Sequence, residues 1–231
     1  MHKKALLIGN SRGLSGVKID IFKTLNFLKS DVGGSWNDNE IVVLNNPSRN
    51  VLLRKTEELR ENNLDYFFCM FSGHGAFERN TILEINEKEE CITEDNLHGI
   101  SSRQLNIFDC CRGVLSGIPA LEERYIVKAS TDNVRLRYER RIMQANPQEV
   151  RLYSCSIGES SYDTENGAIY LGNLLNSASQ IDGEYKTVSA VHNEARLSTI
   201  AATRSYKDAQ TPTAVLAKCL SQQELIFSIK P

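Results

Sequence analysis

The sequence predicts an α/β fold, a mostly parallel sheet covered by helices on both faces. Three observations carry that reading. Apolar runs of strand length alternate with segments of helical period through the first half of the chain, the order that builds parallel sheets. The run "DYFFCMFS" is apolar almost throughout, as strands buried on both faces are. Two of the runs end in polar motifs, "SGHG" at 72–75 and "DCCRG" at 109–113. The carboxyl ends of the strands are where such sheets hold their ligands.

In chain order, "KKALLIG" is a buried strand. After "NSRGLSG", Val17, Ile21, Leu25 and Leu28 recur at helical spacing and predict a helix to about Ser30, with Ser15 as its cap. "EIVVLNN" is a second strand. "NPSRN" turns the chain, Ser48 supplies an N-cap, and a helix carries Val51, Leu52, Lys55, Thr56 and Leu59. "DYFFCMFS" is the third strand. The acidic segment 76–100 reads as a hairpin and a short helix, and "QLNIFD" as the fourth strand. Past Gly113 the pattern weakens. Residues 124–151 are rich in arginine with little regular period and read as a flexible segment. "EVRLYSC" is a fifth strand. Ala168, Leu171, Leu175 and Ala178 mark a helix, "TVSAVHNEAR" a further one capped by Thr187, and "LIFSI" a last strand. No repeat or low-complexity linker divides the chain, so residues 1–231 read as a single domain.

Composition narrows the function. Lys plus Arg number 27 against 29 for Asp plus Glu, a formal charge of -2. That balance offers no concentrated positive surface for nucleic acid. No apolar run approaches membrane-spanning length. The apolar part of "MHKKALLIGNSRG" is too short for a secretory signal and reads as the first strand. The six cysteines lack zinc-site spacing, and a chain of 231 residues needs no disulfide staples. A cytoplasmic protein with free thiols is the expectation. Cys69, inside "YFFCMF", is a small buried hydrophobe.

A histidine between glycines is by itself a turn, and a cysteine pair at a strand end is by itself packing. Together, at consecutive strand ends, they meet the needs of covalent catalysis. A thiol attacks only as thiolate, which its ordinary pKa of about 8.5 makes scarce at neutral pH. The imidazole of His74 would take the proton and later return it to a leaving group. Cys110 and Cys111 are adjacent and cannot close an ordinary disulfide. Along a strand their side chains alternate, one inward and one outward.

"FSGHG" closing one apolar strand and "DCCRG" closing the next resemble the caspase-like cysteine peptidases, the clan of caspases, metacaspases and paracaspases. The resemblance implies a three-layer sandwich around a mostly parallel six-stranded sheet. It makes Cys111 the nucleophile, Cys110 its inward neighbour, His74 the general base, and the N–H groups of Gly75 and Cys111 the oxyanion donors. "ALLIGN" followed by "LSGVKID" is similar to the opening of metacaspases, and points to a prokaryotic, orthocaspase-type member. On that match Asp20 helps line a pocket for a basic P1 side chain. "YSCSIGESSYD" resembles a later metacaspase segment, with Ile157 where a second pocket acid would stand. Glu159 or Asp163 would then compensate. Leu14 stands in place of the caspase-type arginine that reads an Asp side chain, and Val17 where metacaspases often have cysteine. "QTPT" at 210–213 is like a late segment of many such enzymes.

The implied activity is cleavage of protein substrates after Arg or Lys through a thioester, with no cofactor. "EINEKEE" lacks the Asp-rich pattern of a calcium site, so calcium dependence is not expected. Relatives of this kind serve in bacterial defence or regulated death, switched on by another component such as an upstream protease or effector. The stretch "RLRYERR" holds Arg135, Arg137, Arg140 and Arg141 and is the expected processing site, within about 124–151. Two rival readings are a catalytically silent scaffold that recruits protein partners and a hydrolase of non-peptide amides or thioesters.

Overall fold

The computed structural model describes residues 1–113 and 132–231. Strands β1 (Lys3–Gly9), β2 (Ile41–Asn45), β3 (Tyr66–Ser72), β7 (Arg103–Asp109), β8 (Gln148–Tyr153) and β10 (Thr213–Val215) form a six-stranded sheet in the order β10-β8-β7-β3-β1-β2. The pairs within β2-β1-β3-β7-β8 are parallel, and β10 runs antiparallel to β8 at the edge. Helices α1 (Val17–Lys29), α2 (Arg49–Glu61), α3 (Asp132–Gln144), α4 (Ile169–Ser179) and α5 (Val188–Thr203) connect them. Strands β4 (Gly75–Phe77), β5 (Thr81–Glu84) and β6 (Cys91–Thr93) make a small antiparallel sheet. Strands β9 (Tyr185–Thr187) and β11 (Ile226–Ile229) make a separate ribbon.

The strand alternation builds two cores. Ala5 and Leu7 of β1 and Phe68 and Met70 of β3 face one apolar cluster, which also takes Leu28 of α1, Tyr138 of α3 and Leu174 of α4. Leu6, Ile8, Phe67, Cys69 and Phe71 face the other, with Leu52 and Leu59 of α2. A side chain buried to this degree contributes about 1.5–3 kcal/mol, so a sheet covered twice is held twice. Ser48 caps α2 by accepting from the Val51 N–H at 3.4 Å, and Thr187 caps α5 through the Ala190 N–H at 3.3 Å. Helix α1 departs from expectation: Gly16, not Ser15, is its N-cap.

The last strand forms as read, and the arginine-rich segment needs correction. "LIFSI" does form a strand, β11, but it pairs with β9 outside the main sheet. The sixth strand is β10, three residues long in "TAV". The four arginines 135, 137, 140 and 141 are not in a flexible stretch but in helix α3. A protease needs an extended strand in its cleft, so cutting there would require the helix to unwind. Arg135 is moreover clamped to Glu40 at 2.6 Å and Glu139 at 3.0 Å. The rest of the expected processing segment, residues 124–131 with Arg124, lies outside the described residues. No helix of the described residues is long and apolar enough to cross a membrane.

Candidate active site

The parallel register aligns the carboxyl ends of three neighbouring strands, Gly9 of β1 with Ser72 of β3, and Ser72 with Asp109 of β7. The loops leaving these ends carry the chemistry. His74 follows β3, Cys111 follows β7, and the chain after β1 supplies Arg12 and Leu14. A small cavity of about 40 Å³ is lined by residues that include Leu14, His74, Cys111, Ser161, Asp163 and Ala168. His74 and Cys111 therefore line one cavity at the rim of the sheet.

His74 is held at both ends. Its ring Nε2 lies 2.5 Å from the carbonyl oxygen of Arg12. A carbonyl only accepts, so Nε2 is the protonated nitrogen and Nδ1 is left with a free lone pair. Its backbone C=O accepts from the Glu84 N–H at 3.0 Å. The Glu84 carboxylate, 7% exposed, completes a ring by taking Arg12 Nη1 at 2.9 Å. The buried Asn10 joins this ring. Its Nδ2 donates to the Glu84 carbonyl at 2.8 Å, and its Oδ1 accepts from the Arg12 N–H at 3.1 Å. Arg12 also pairs with Glu89 at 2.6 Å. The carbonyl that sets the imidazole tautomer is thus fixed through the β5–β6 hairpin.

The two cysteines divide as alternation predicts. Cys110 is 2% exposed and packs in the second core, its N–H on Ser154 Oγ at 3.1 Å. Burial drives its thiol well above the ordinary value. Cys111 lines the cavity, and its Sγ accepts from the Ser161 N–H at 3.3 Å. Burial pushes the Cys111 thiol up too, the Ser161 N–H opposing and the Asp109 charge adding. Gly75 lies against this pair. A Cβ there would stand 2.6 Å from Cys110 Sγ and 2.9 Å from the Cys111 carbonyl oxygen, so only glycine fits. Gly75 pairs with Leu83 while Glu84 N–H bonds His74 C=O. In that antiparallel register the Gly75 N–H turns away from β5.

Three carboxylates gather at this rim, Asp109 and Asp163 lining the cavity and Asp20 near them. Asp20 accepts from Ser72 Oγ at 2.7 Å and from the Ala168 N–H at 2.9 Å. Asp109 accepts from Ser161 Oγ at 2.7 Å and from the Leu171 N–H at 3.0 Å. Both thereby cap the start of α4, where the helix leaves N–H groups unpaired and favours negative charge. Asp163 accepts from the Gly16 N–H at 2.9 Å, and its Oδ1 is buried without a hydrogen-bond partner. A Cβ on Gly16 would collide with that oxygen at 1.8 Å, which explains glycine before α1. Burial raises all three acids, Asp109 to about 6.

Of the residues the sequence nominated, His74, Cys111 and Asp163 line the cavity and Gly75 abuts it. Asp20 does not offer a free carboxylate there, because both its oxygens are taken. Glu159 is directed elsewhere: its Oε2 accepts from the N–H groups of Ser156 at 3.3 Å and Thr211 at 2.6 Å. Ile157, at the expected pocket position, is 59% exposed. Sequence reasoning missed Ser161, Glu84 and the Arg12 carbonyl. Among the described residues, no three His, Cys, Asp or Glu side chains converge as metal ligands.

Comparison with known proteins bears on this arrangement. The family profile described as Caspase domain matches residues 2–220. No curated protein matches the chain in sequence. Among solved structures the chain is similar to Caspase-1 from Spodoptera frugiperda, with a TM-score of 0.63 at 13% identity. That match covers 93% of this chain and 87% of the other. At such identity the likeness speaks for the fold.

Proposed function

The chain belongs to the caspase domain family of cysteine peptidases, and from that membership we propose that Cys111 and His74 form its catalytic dyad. The observation that carries the reading is one imidazole, its Nε2 on a fixed carbonyl, lining the same cavity as an outward thiol. Nδ1 of His74 takes the Cys111 proton. The thiolate attacks the scissile carbonyl carbon, and the N–H groups of Gly75 and Cys111 receive the oxyanion. Each such donor stabilises the transition state by roughly 3 kcal/mol. His74 returns the proton to the leaving amine as the C–N bond breaks, giving a thioester. Water, deprotonated by the same imidazole, hydrolyses it. The Ser161 N–H supports the thiolate before attack.

The substrates are proteins, cleaved after Arg or Lys. Asp163 supports this preference, as a cavity acid with one oxygen unpartnered, beside Leu14 and Val17 for an aliphatic stem. A guanidinium would complete the carboxylate by charge-assisted hydrogen bonds.

The His74 and Cys111 side chains, both kept, favour an enzyme that an upstream protease or effector switches on over a permanently silent scaffold.

The test is reaction with an Arg-directed, thiol-reactive peptide, with and without limited proteolysis, followed by P1 profiling on a peptide library. The account expects label lost in Cys111→Ala but kept in Cys110→Ala, and Arg or Lys at P1. Equal labelling of Cys111→Ala, or hydrolysis of small esters only, would overturn it.

A further inference from the structure

Helix α3 carries the arginine-rich stretch that the catalytic rim does not use. Beside the β9–β11 ribbon it encloses a second cavity of about 370 Å³, within the size range of small-ligand sites. Arg137, Arg140, Arg141 and Lys230 line it with Tyr185 and Ile229, and the negative groups in the wall are the Glu184 side chain and the Pro231 carboxylate. The 3- and 4-residue spacing puts the three arginines on one side of the helix.

These cations differ from several others in the molecule. Arg135, on the same helix, is doubly paired with Glu40 and Glu139. Lys3 has Glu139 at 2.9 Å, and Arg12 has Glu84 and Glu89. Among the described residues Arg137, Arg140 and Arg141 make no ion pair. Arg137 donates to the Lys230 carbonyl and Arg141 Nη2 to that of Ser221 at 3.3 Å. Arg141 is only 7% exposed, and its guanidinium lies 4.5 Å from the centre of the Tyr185 ring. Its Nη1 is buried with no hydrogen-bond partner. A buried guanidinium without a counter-charge is costly, and three arginines on one helix side repel one another.

We propose that this cavity binds a small anion carrying at least two phosphoryl groups. Four cationic side chains face one acidic side chain and the Pro231 carboxylate, which leaves an excess of positive charge for a ligand of more than one negative group. Guanidinium forks match phosphoryl oxygens two by two. Ile229 and the Tyr185 ring give the organic part of such a ligand an apolar wall. Bound there, the anion joins α3 to the β9–β11 ribbon and stabilises the folded chain by mass action. The cavity shares no residue with the catalytic rim, so the inference stands apart from the peptidase assignment.

The experiment is calorimetric titration of the intact chain with inorganic tripolyphosphate at constant ionic strength. The expected result is one site per chain. Arg140→Glu and Arg137→Glu, both at exposed positions, weaken it at least fivefold. Arg54→Glu, on the exposed face of α2, changes it less than twofold. No binding by the unmodified chain overturns the proposal. So does a loss below fivefold in Arg140→Glu, or an equal loss in Arg54→Glu, which marks diffuse attraction. Arg141→Lys keeps the charge but not the fork, and a loss there as well identifies the buried guanidinium as a ligand.

Discussion

The acids under the catalytic rim and the arginines of α3 are neutralised in opposite ways. Asp20, Asp109 and Asp163 each accept a backbone N–H, from Ala168, Leu171 and Gly16. Five of their six oxygens bond within the chain, three to these N–H groups and two to the hydroxyls of Ser72 and Ser161, and only Asp163 Oδ1 is an orphan. Arg137, Arg140 and Arg141 have carbonyls at best and no acid among the described residues. The lesson is that a charge satisfied inside the fold is framework, whereas a charge without its opposite marks where something else binds. By that rule Asp163 and the α3 arginines are the recognition elements we propose, and Asp20 and Asp109 are struts.

The largest expected effect tests the rim itself. Cys111→Ala and His74→Ala should each lower kcat/KM for a basic-P1 peptide by about 10³-fold or more. Cys110→Ala should retain cleavage within a few-fold and lose about 1 kcal/mol of stability in denaturant melts, as a small cavity does. Next comes the support of the imidazole. Glu84→Ala releases Arg12 and should lower kcat by roughly 10- to 100-fold with KM little changed, while Glu84→Gln keeps most of the hydrogen bonds and more of the rate. Steady-state kinetics over a pH series separates this from simple unfolding.

Asp163→Asn sharpens the contrast between recognition and strut. It should cost about tenfold in kcat/KM for Arg at P1, by loss of one charge-assisted bond, and flatten the P1 profile. The smallest effect is in stability. Folded Asp109 titrates at about 6, above its ordinary 3.8, so the folded state holds a proton that the unfolded chain has released. Stability from this group is present below about pH 4 and lost as pH rises through about 6. Relative to Asp109→Asn, the unmodified chain should therefore weaken across that window and stay level above it, as chemical denaturation at several pH values would measure. His192 acts with the opposite sign: buried against Tyr170, it titrates at about 4, and its burden grows as pH falls from about 6.5. The Asp109→Asn comparison cancels that contribution.

Much of this was legible in the sequence, for physical reasons that also mark where legibility stops. β1, β3 and β7 announce themselves because strands buried twice must be apolar on both faces. His74 and Cys111 stand out because their motifs close two such strands. Helix α3 was readable in principle, since Val134, Tyr138 and Ile142 recur every four residues and are buried, but the arginines between them obscured the period. β9 and β10, at three residues each, are too short to show any alternation. The Arg12 carbonyl and the Ser161 N–H act through the backbone, which every residue possesses, so no side chain could have signalled them. Glu159 reads as a pocket acid until the fold brings the Ser156 and Thr211 N–H groups to it.

The central claim is that His74 governs the reactivity of Cys111. Iodoacetamide is small enough to reach a rim thiol, and peptide mass spectrometry resolves Cys111 from Cys110. The account predicts that Cys111 alkylation at pH 7 slows at least about tenfold in His74→Ala, with a changed dependence of the rate on pH. An unchanged rate and a single thiol-like titration in both proteins would contradict it.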